Sequence, residues 1–453
     1  MYSMKRLLLA VMIMALALMA LVPAMAQDDD PADIQVWIAF TDYRLDWAQE
    51  RAAEFNEQFP QYNVIVEGFP NYEDLLTSAR LAFEQDSAPA VVQYFEAATR
   101  DALDAEFQGV PRFRSVEGAL GGVEEINGIS ADLSIFVESV SNYYIVDGEL
   151  ASMPWNTSSA IMYVNQEILD AAGVDIPETW QDLEEACEAI MALDDAPSGC
   201  ITWPNHGWFF EQSVAQQGAD LVNNGNGRDD RATEVFVNSE AGLAYVQWWK
   251  DLQDSGYYLY TGQQRDWGGS YNLFIQQNTA MLIYSSSDTT ALTNDGAEAG
   301  FTTVAAPMPY NGEVGYTGNL IGGASLWLSN GLDPVVEEGA LTFLLWFVNA
   351  ENDADWHRVT GYIPVTQPGL DLLTEEGWFD ESPNSRVASE QLANSADTSA
   401  TRGAIVGDFP LIRDQVTEAI EDILVNNVDV EERMADAQEE AQLILDDYNA
   451  DLE

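Results

Sequence analysis

Between Ile34 and Phe95 the sequence switches repeatedly between two apolar patterns, and that alternation restricts the fold more than any other feature. "IQVWIAF" is a run of β-branched and aromatic residues of the buried-strand type. "YRLDWAQERAAEFNEQF" then places apolar residues at helical spacing, "YNVIVEGF" reads as a strand, "NYEDLLTSARLAFEQ" as a helix and "PAVVQYF" as a third strand. Strands separated by helices pair in parallel, because each crossover returns the chain to the same end of the sheet. The pattern resumes at "AIMYVN", followed by "QEILDAAG" with its glycine stop at Gly173. Next comes "PETWQDLEEACEAIMAL", where Thr179 and Asp182 are placed as a capping pair. "TAMLIY", "GFTTVAAPM" and "GGASLWLS" are further strands, "ALTFLLWFVNAEND" is a buried helix, and the acidic stretch from Gln415 to Tyr448 is a long amphipathic cover. A chain of 453 residues is too long for one compact core, so two α/β lobes are expected.

The chain starts "MYSMKRLLLAVMIMALALMALVPAMAQ", with a Lys5-Arg6 n-region, an apolar stretch and Ala24-Met25-Ala26. This reads as a secretory signal over residues 1–26, too short for a comfortable membrane span. No cysteine lies near the cleavage site to carry a lipid, so the mature chain is expected free in the periplasm or the medium. The charge is −59, from 76 acidic residues against 17 Lys plus Arg. Such a field repels phosphate backbones and anionic bilayers, which excludes nucleic acid and membrane surfaces as partners.

Cys187 and Cys200 are the only cysteines; export favours a disulfide between them over two buried thiols. No third soft ligand accompanies them, and His206 and His357 fit no metal motif, so no metal or cofactor is expected. "NNGNGRDDR" clusters oxygen ligands, but Arg228 interrupts calcium-loop spacing, and a turn with left-handed Asn and Gly fits better. Walker and nucleophile-elbow motifs are absent. Carboxylates are too abundant for any pair to point to a glycosidase.

Four segments stand out from surface and ordinary core. "MPWNTSSAIMYVN" sets polar residues before a strand, "LIYSSSDTT" sets serines after one, "NLIGGASLW" has two glycines that let a backbone come close, and "DFPLIRDQV" places Arg413 among apolar residues. Singly each has a plain structural explanation; an arginine, for instance, usually pairs with a local acid such as Asp414. Together with "EGFPNYEDLL", "APAVVQYFEAAT" and "WHRVTGYIPVT", and in this order, they resemble the family 1 extracellular solute-binding proteins of ATP-binding-cassette importers, within the glycerol-phosphate-binding subgroup. The resemblance runs over nearly the whole mature chain.

That resemblance implies a two-lobed periplasmic-binding-protein fold of class II, maltose-binding-protein-like, with an interlobe hinge and a ligand cleft. The lobes would comprise 33–157 plus 303–340 and 158–302 plus 341–453. It implies binding without turnover, a phosphorylated polyol as ligand, and a monomer that delivers it to permease subunits driven by separate ATPases. By motif, the ligand contacts would be Tyr72, Glu96, Ser158, Trp208, Ser285, Gly323, Tyr362 and Arg413. Arg413 would grip phosphate at one end and Glu96 would accept hydroxyls at the other. Where the subgroup has W-x-G-W, this chain reads "PNHGWFF". Asn205 in place of an indole, with Trp203 nearby, makes these two the specificity candidates and leaves room for a glycerophosphodiester such as glycerophosphocholine. The alternatives are a sugar binder of the same fold, which would not need Arg413, and a secreted carboxylate hydrolase. The lysine-poor acidic surface suits high salt, where the Debye length falls to about 3 Å at 1 M. The melting temperature is therefore expected to climb between low and molar salt; a flat or falling trend contradicts that adaptation.

Overall fold

The computed structural model describes residues 30–85 and 87–452; the expected signal segment lies outside them. Nine main strands form two sheets. The first sheet takes β1 (Ala32–Ile38), β2 (Tyr62–Gly68), β3 (Val91–Phe95), β4 (Met153–Ser158) and, from far along the chain, β9 (Gly322–Ser329). The second takes β5 (Ala160–Asn165), β6 (Gly199–Thr202), β7 (Thr279–Ser285) and β8 (Thr303–Pro307). Their orders are β4-β9-β3-β1-β2 and β6-β7-β5-β8.

The strands joined through helices are parallel, as the alternation implies: β1 with β2 and β3, and β6 with β7. β9 runs antiparallel to β3 and β4, and β5 antiparallel to β7 and β8. These two enter from the opposite lobe, so they start at the edge where the others end. Both sheets therefore turn the carboxyl ends of β1, β3, β4, β7 and β8 toward one shared cleft, where α/β folds gather their ligands.

The chain crosses between sheets at Ser159, where β4 ends in one sheet and β5 begins in the other. The expected lobe boundaries need three corrections, of which the smallest is Ser158, which pairs with Gly322 and stays in the first sheet. Thr303–Pro307 pairs with β5 residue by residue, from Asn165↔Thr303 to Ile161↔Pro307, so it belongs to the second lobe and the return crossing falls after Pro307. Helix α6 (Pro334–Phe347) packs on the first sheet along its length, because Gly339 lets its backbone settle against Ile34 and Tyr62. Residues 341–347 therefore stay with the first lobe.

Helices cover both sheets. α1 (Tyr43–Gln58) is capped by Asp42, α2 (Tyr72–Glu84) by Asn71, and α3 (Trp180–Met191) by the reciprocal Thr179 and Asp182 box that the sequence announces. Cys187 on α3 is disulfide-bonded to Cys200 on β6, tying helix to sheet. Downstream come α4 (Gly207–Gln216), α5 (Thr289–Ala299), α7 (Ala350–Thr360), α8 (Phe409–Asn426) and α9 (Val430–Asp451). The acidic C-terminal cover is thus two packed helices rather than one; the break is at Asn427, which takes a left-handed conformation (φ 53°). "NNGNGRDDR" is the expected turn: Asn224, Gly225, Asn226 and Gly227 all have positive φ, and the buried Asn226 side chain accepts the Leu221 and Val222 amides. Among the described residues no helix is long and apolar enough to cross a membrane, and no group of three or more His, Cys, Asp or Glu could hold a metal ion.

Candidate functional site in the interlobe cleft

The strongest electrostatic feature of the cleft is one arginine between two carboxylates. Arg413 sits in the first turns of α8, where Nε and Nη2 donate to the two Glu211 oxygens at 2.6 and 2.8 Å. Nη2 also donates to Glu96 Oε1 at 2.8 Å. All three residues are nearly inaccessible, at 5–6 % exposure. Glu211 belongs to α4 in the second lobe, whereas Glu96 follows β3 in the first, so the ion pair spans the lobes. Burial alone would lower the Arg413 pKa, but the two carboxylates hold it above the ordinary guanidinium range. Burial pushes the Glu211 carboxyl up, and Arg413 pulls it back.

Two expectations change here. Asp414 is not the partner of Arg413; it pairs with Arg265, which also comes within 3.9 Å of Glu73 across the cleft. Arg413 and Glu96 are in direct contact, so an anion end at the one and a hydroxyl end at the other would lie side by side and not at opposite ends of the cleft. The cluster carries one positive charge against two carboxylates when all three are ionised.

Tyr72 stands within the field of Glu96, and a second phenol, Tyr362, lies next to Tyr72. Tyr72 opens α2 and stacks on Phe95 at 5.0 Å. Its Oη accepts from Asn156 Nδ2 at 3.0 Å, and Asn156 Oδ1 accepts from Gln93 Nε2 at 2.8 Å, while Gln93 Oε1 takes the Ala39 amide. This relay fixes each amide's orientation and leaves the Tyr72 proton free to donate. Tyr362 is set by the segment around it. Gly361 turns the chain at φ 101°, and a Cβ there would meet the Ser286 carbonyl at 2.7 Å. Thr360 Oγ1 accepts the Tyr362 amide, His357 Nδ1 lies 2.7 Å from the Tyr362 carbonyl, Ile363 N donates to Thr157 O, and the ring stacks on Trp356 at 5.4 Å and 8°. The carbonyl accepts, so Nδ1 carries the proton. Burial lowers the His357 pKa to about 4, leaving a neutral positioning imidazole. Burial raises both phenols, which stay protonated donors.

Ser158 is buried at the end of β4. Ser285 ends β7, and its Oγ accepts from Ser287 N and Ser287 Oγ. Gly322 and Gly323 answer to packing. A Cβ on Gly323 (φ 97°) would land 1.9 Å from the Asn156 carbonyl, and one on Gly322 would land 2.5 Å from the Trp208 indole. Trp208 is buried beside Trp267, and its Nε1 has no hydrogen-bond partner among the described residues.

Asn205 and Trp203 do not reach the cleft. Asn205 is fully buried, and its Nδ2 donates to Thr417 O and Glu421 Oε2, fastening the chain after β6 to α8. Trp203 packs against Trp249 and Tyr258 in the core. Replacing an indole by Asn205 therefore opens no space for a ligand, and the specificity role expected for these two is withdrawn. The sequence reading placed Asn156 in a polar edge cluster without giving it a role, and missed Glu211 and two cleft charges, Arg44 and Asp288. Scarcity was the available signal for Arg44, one of only 17 Lys plus Arg in the chain.

Residues 50–377 match the model of the bacterial extracellular solute-binding protein family. The chain belongs to that family. It is 30% identical over 383 residues to the sn-glycerol-3-phosphate-binding periplasmic protein UgpB of Salmonella typhimurium, covering 82% of this chain and 83% of that one. It is 29% identical over 380 residues to UgpB of Escherichia coli K12, with the same coverage. Among solved structures it is similar to UgpB from Mycobacterium tuberculosis in complex with glycerophosphocholine, at TM-score 0.74 and 21% identity over 92% of this chain and 98% of that one. It is also similar to maltose-bound MalE3 of T. maritima, at TM-score 0.74 and 15% identity over 91% and 100%. These neighbours show the maltose-binding-protein-like, two-lobed fold. The protein is a solute-binding component of an ATP-binding-cassette importer, a class that binds small molecules outside the cytoplasm and works with permease and ATPase subunits; it is not an enzyme.

Removing Arg413 leaves two buried carboxylates facing each other. Arg413→Ala is expected to lower folding stability by about 3 kcal/mol or more, and Arg413→Lys by less. Urea denaturation of ligand-free protein measures this, and an unchanged midpoint would show that the carboxylates do not depend on Arg413.

Proposed function

We propose that this protein captures sn-glycerol 3-phosphate or a glycerophosphodiester such as glycerophosphocholine and hands it to its permease. In this reading it acts as a monomer, released by cleavage of residues 1–26 and carrying no lipid anchor. The observation that carries the reading is the Glu96–Arg413–Glu211 cluster with Tyr72 beside Glu96 and Tyr362 next to Tyr72, a buried guanidinium shared by both lobes where a polyol phosphate has donors and acceptors. Arg413 Nη1 takes no part in the fork to Glu211 or the bond to Glu96, and supplies a charge-assisted donor. The phenol protons serve further phosphate or hydroxyl oxygens, and Glu96 keeps one oxygen free for a ligand hydroxyl. Ser158, Ser285, Trp208 and the Gly323 backbone complete the set by motif. Names of the relatives point the same way: the two curated ones bind glycerol phosphate, and a structural neighbour holds glycerophosphocholine.

Binding that touches both lobes favours the closed arrangement by the difference in contacts between closed and open, and the closed form is what a permease can distinguish. One observation favours a second reading. Two carboxylates around one guanidinium suit neutral polyols as well as esters, and several fold neighbours bind sugars. Titration calorimetry with sn-glycerol 3-phosphate, glycerophosphocholine and maltose separates the two. A Kd of about 1 μM or below, some 8 kcal/mol, is expected for at least one phosphate ester and no heat for maltose. Maltose binding without ester binding overturns the proposal.

A further inference from the structure

Two charges outside the motif-derived set face each other across the cleft. Arg44 lies in the first turn of α1, just beyond β1. Its Nε and Nη2 form a fork with Asp42, at 3.0 Å to Oδ1 and 2.6 Å to Oδ2, and its guanidinium lies 4.5 Å over the Phe40 ring. Phe40 in turn contacts Tyr362 at 6.4 Å between ring centres. From the second lobe comes Asp288, just beyond β7, which accepts from Ser287 Oγ at 2.9 Å. Among the described residues no cation forms an ion pair with Asp288; Arg44 pairs with Asp42 instead. The Ser286 carbonyl, two residues before Asp288, packs against Gly361, and the adjacent Tyr362 ring meets the Phe40 ring that carries Arg44, so the two charges flank the same tyrosine; burial raises the Asp288 carboxyl pKa and the Arg44 charge pulls it back. Aromatic rings border the gap. Tyr43 precedes Arg44 and is 42 % exposed, and Tyr271 is held by its Oη donating to Asp295 at 2.6 Å and by Tyr284 at 6.1 Å.

We propose that Asp288, with Tyr43 and Tyr271, seats a cationic head group, an ammonium on the alcohol esterified to the ligand's phosphate, and that Arg44 meets that phosphate through the nitrogen left out of its Asp42 fork. This rests on the glycerophosphodiester reading above and places head-group choice here, not at Asn205. An ammonium entering a closing cleft loses water. It is compensated only by a carboxylate with no cation of its own and by aromatic faces. A phosphate monoester brings two negative charges and no cation into a cleft that already holds Asp42, Asp288, Glu96 and Glu211. A zwitterionic diester adds no net charge and pairs each of its ends with an opposite charge, so the subsite discriminates by charge as well as by size.

The test is calorimetry on the full mature chain with glycerophosphocholine, glycerophosphoglycerol and sn-glycerol 3-phosphate, which differ in the head group alone. Asp288→Asn is expected to weaken glycerophosphocholine binding at least about tenfold while changing glycerophosphoglycerol by less than about twofold. Asp288→Ser serves as a second variant should the first fold poorly, with the same expectation. An equal loss for both diesters makes Asp288 a closure contact and overturns the subsite, as does no loss for either. If the unaltered protein binds the monoester alone, the subsite falls and the phosphate-ester reading stands. If it binds none of the three, both fall.

Discussion

Arg413 is held by carboxylates from both lobes, and the rest of the site is arranged around that bond. Glu211 fixes the guanidinium plane with two hydrogen bonds from within its own lobe, and Glu96 reaches it from the other. A charge so deeply buried is tolerated only when paired, so Arg413 and Glu211 satisfy each other where α4 meets α8, and Glu96 is satisfied only when the turn after β3 joins them. The cleft is thereby tied to folding itself. Its charge is also limited, since one guanidinium already shared by two acids can contribute only part of what an anion requires.

The crossing strands put these groups in place. β4 ends and β5 begins within one residue of Ser159, so the polar run Asn156 to Ser159 lies at the edges of both sheets. β9 can run beside β4 only because Gly323 lacks a Cβ where Asn156 presents its carbonyl. The segment after α7 is fastened in the same way. Asp353, raised to a pKa of about 6 by burial against its hydrogen bonds, accepts the Val365 and Thr366 amides, and His357 holds the Tyr362 carbonyl. Tyr362 therefore presents its phenol from a backbone bonded at nearly every step.

Much of this was legible in the sequence because it is local. Apolar runs and helical spacing located the strands and helices, Thr179 and Asp182 marked a helix start, and Gly173 marked a stop. The order of motifs singled out Tyr72, Glu96, Tyr362 and Arg413, which are all buried or partly buried between the two sheets. What failed was tertiary. "TVAAP" does not say which sheet will receive it. Arg413 has an acid next to it in the chain, yet its partners are 202 and 317 residues away. Asn205 aligned with a cleft indole but turned inward, because Thr417 and Glu421 offered its amide partners. Arg44 lies beside Asp42 at a helix start, and nothing in that local pattern marks the start as facing the cleft.

The central claim is that ligand is held between the lobes at the Arg413 cluster. A crystal structure of the protein saturated with glycerophosphocholine tests it directly. The account predicts the ligand enclosed by both lobes, with a phosphoryl oxygen about 3 Å from a guanidinium nitrogen of Arg413 or Arg44 and a glycerol hydroxyl on Glu96. A ligand touching one lobe only, or lying away from both arginines, would contradict it.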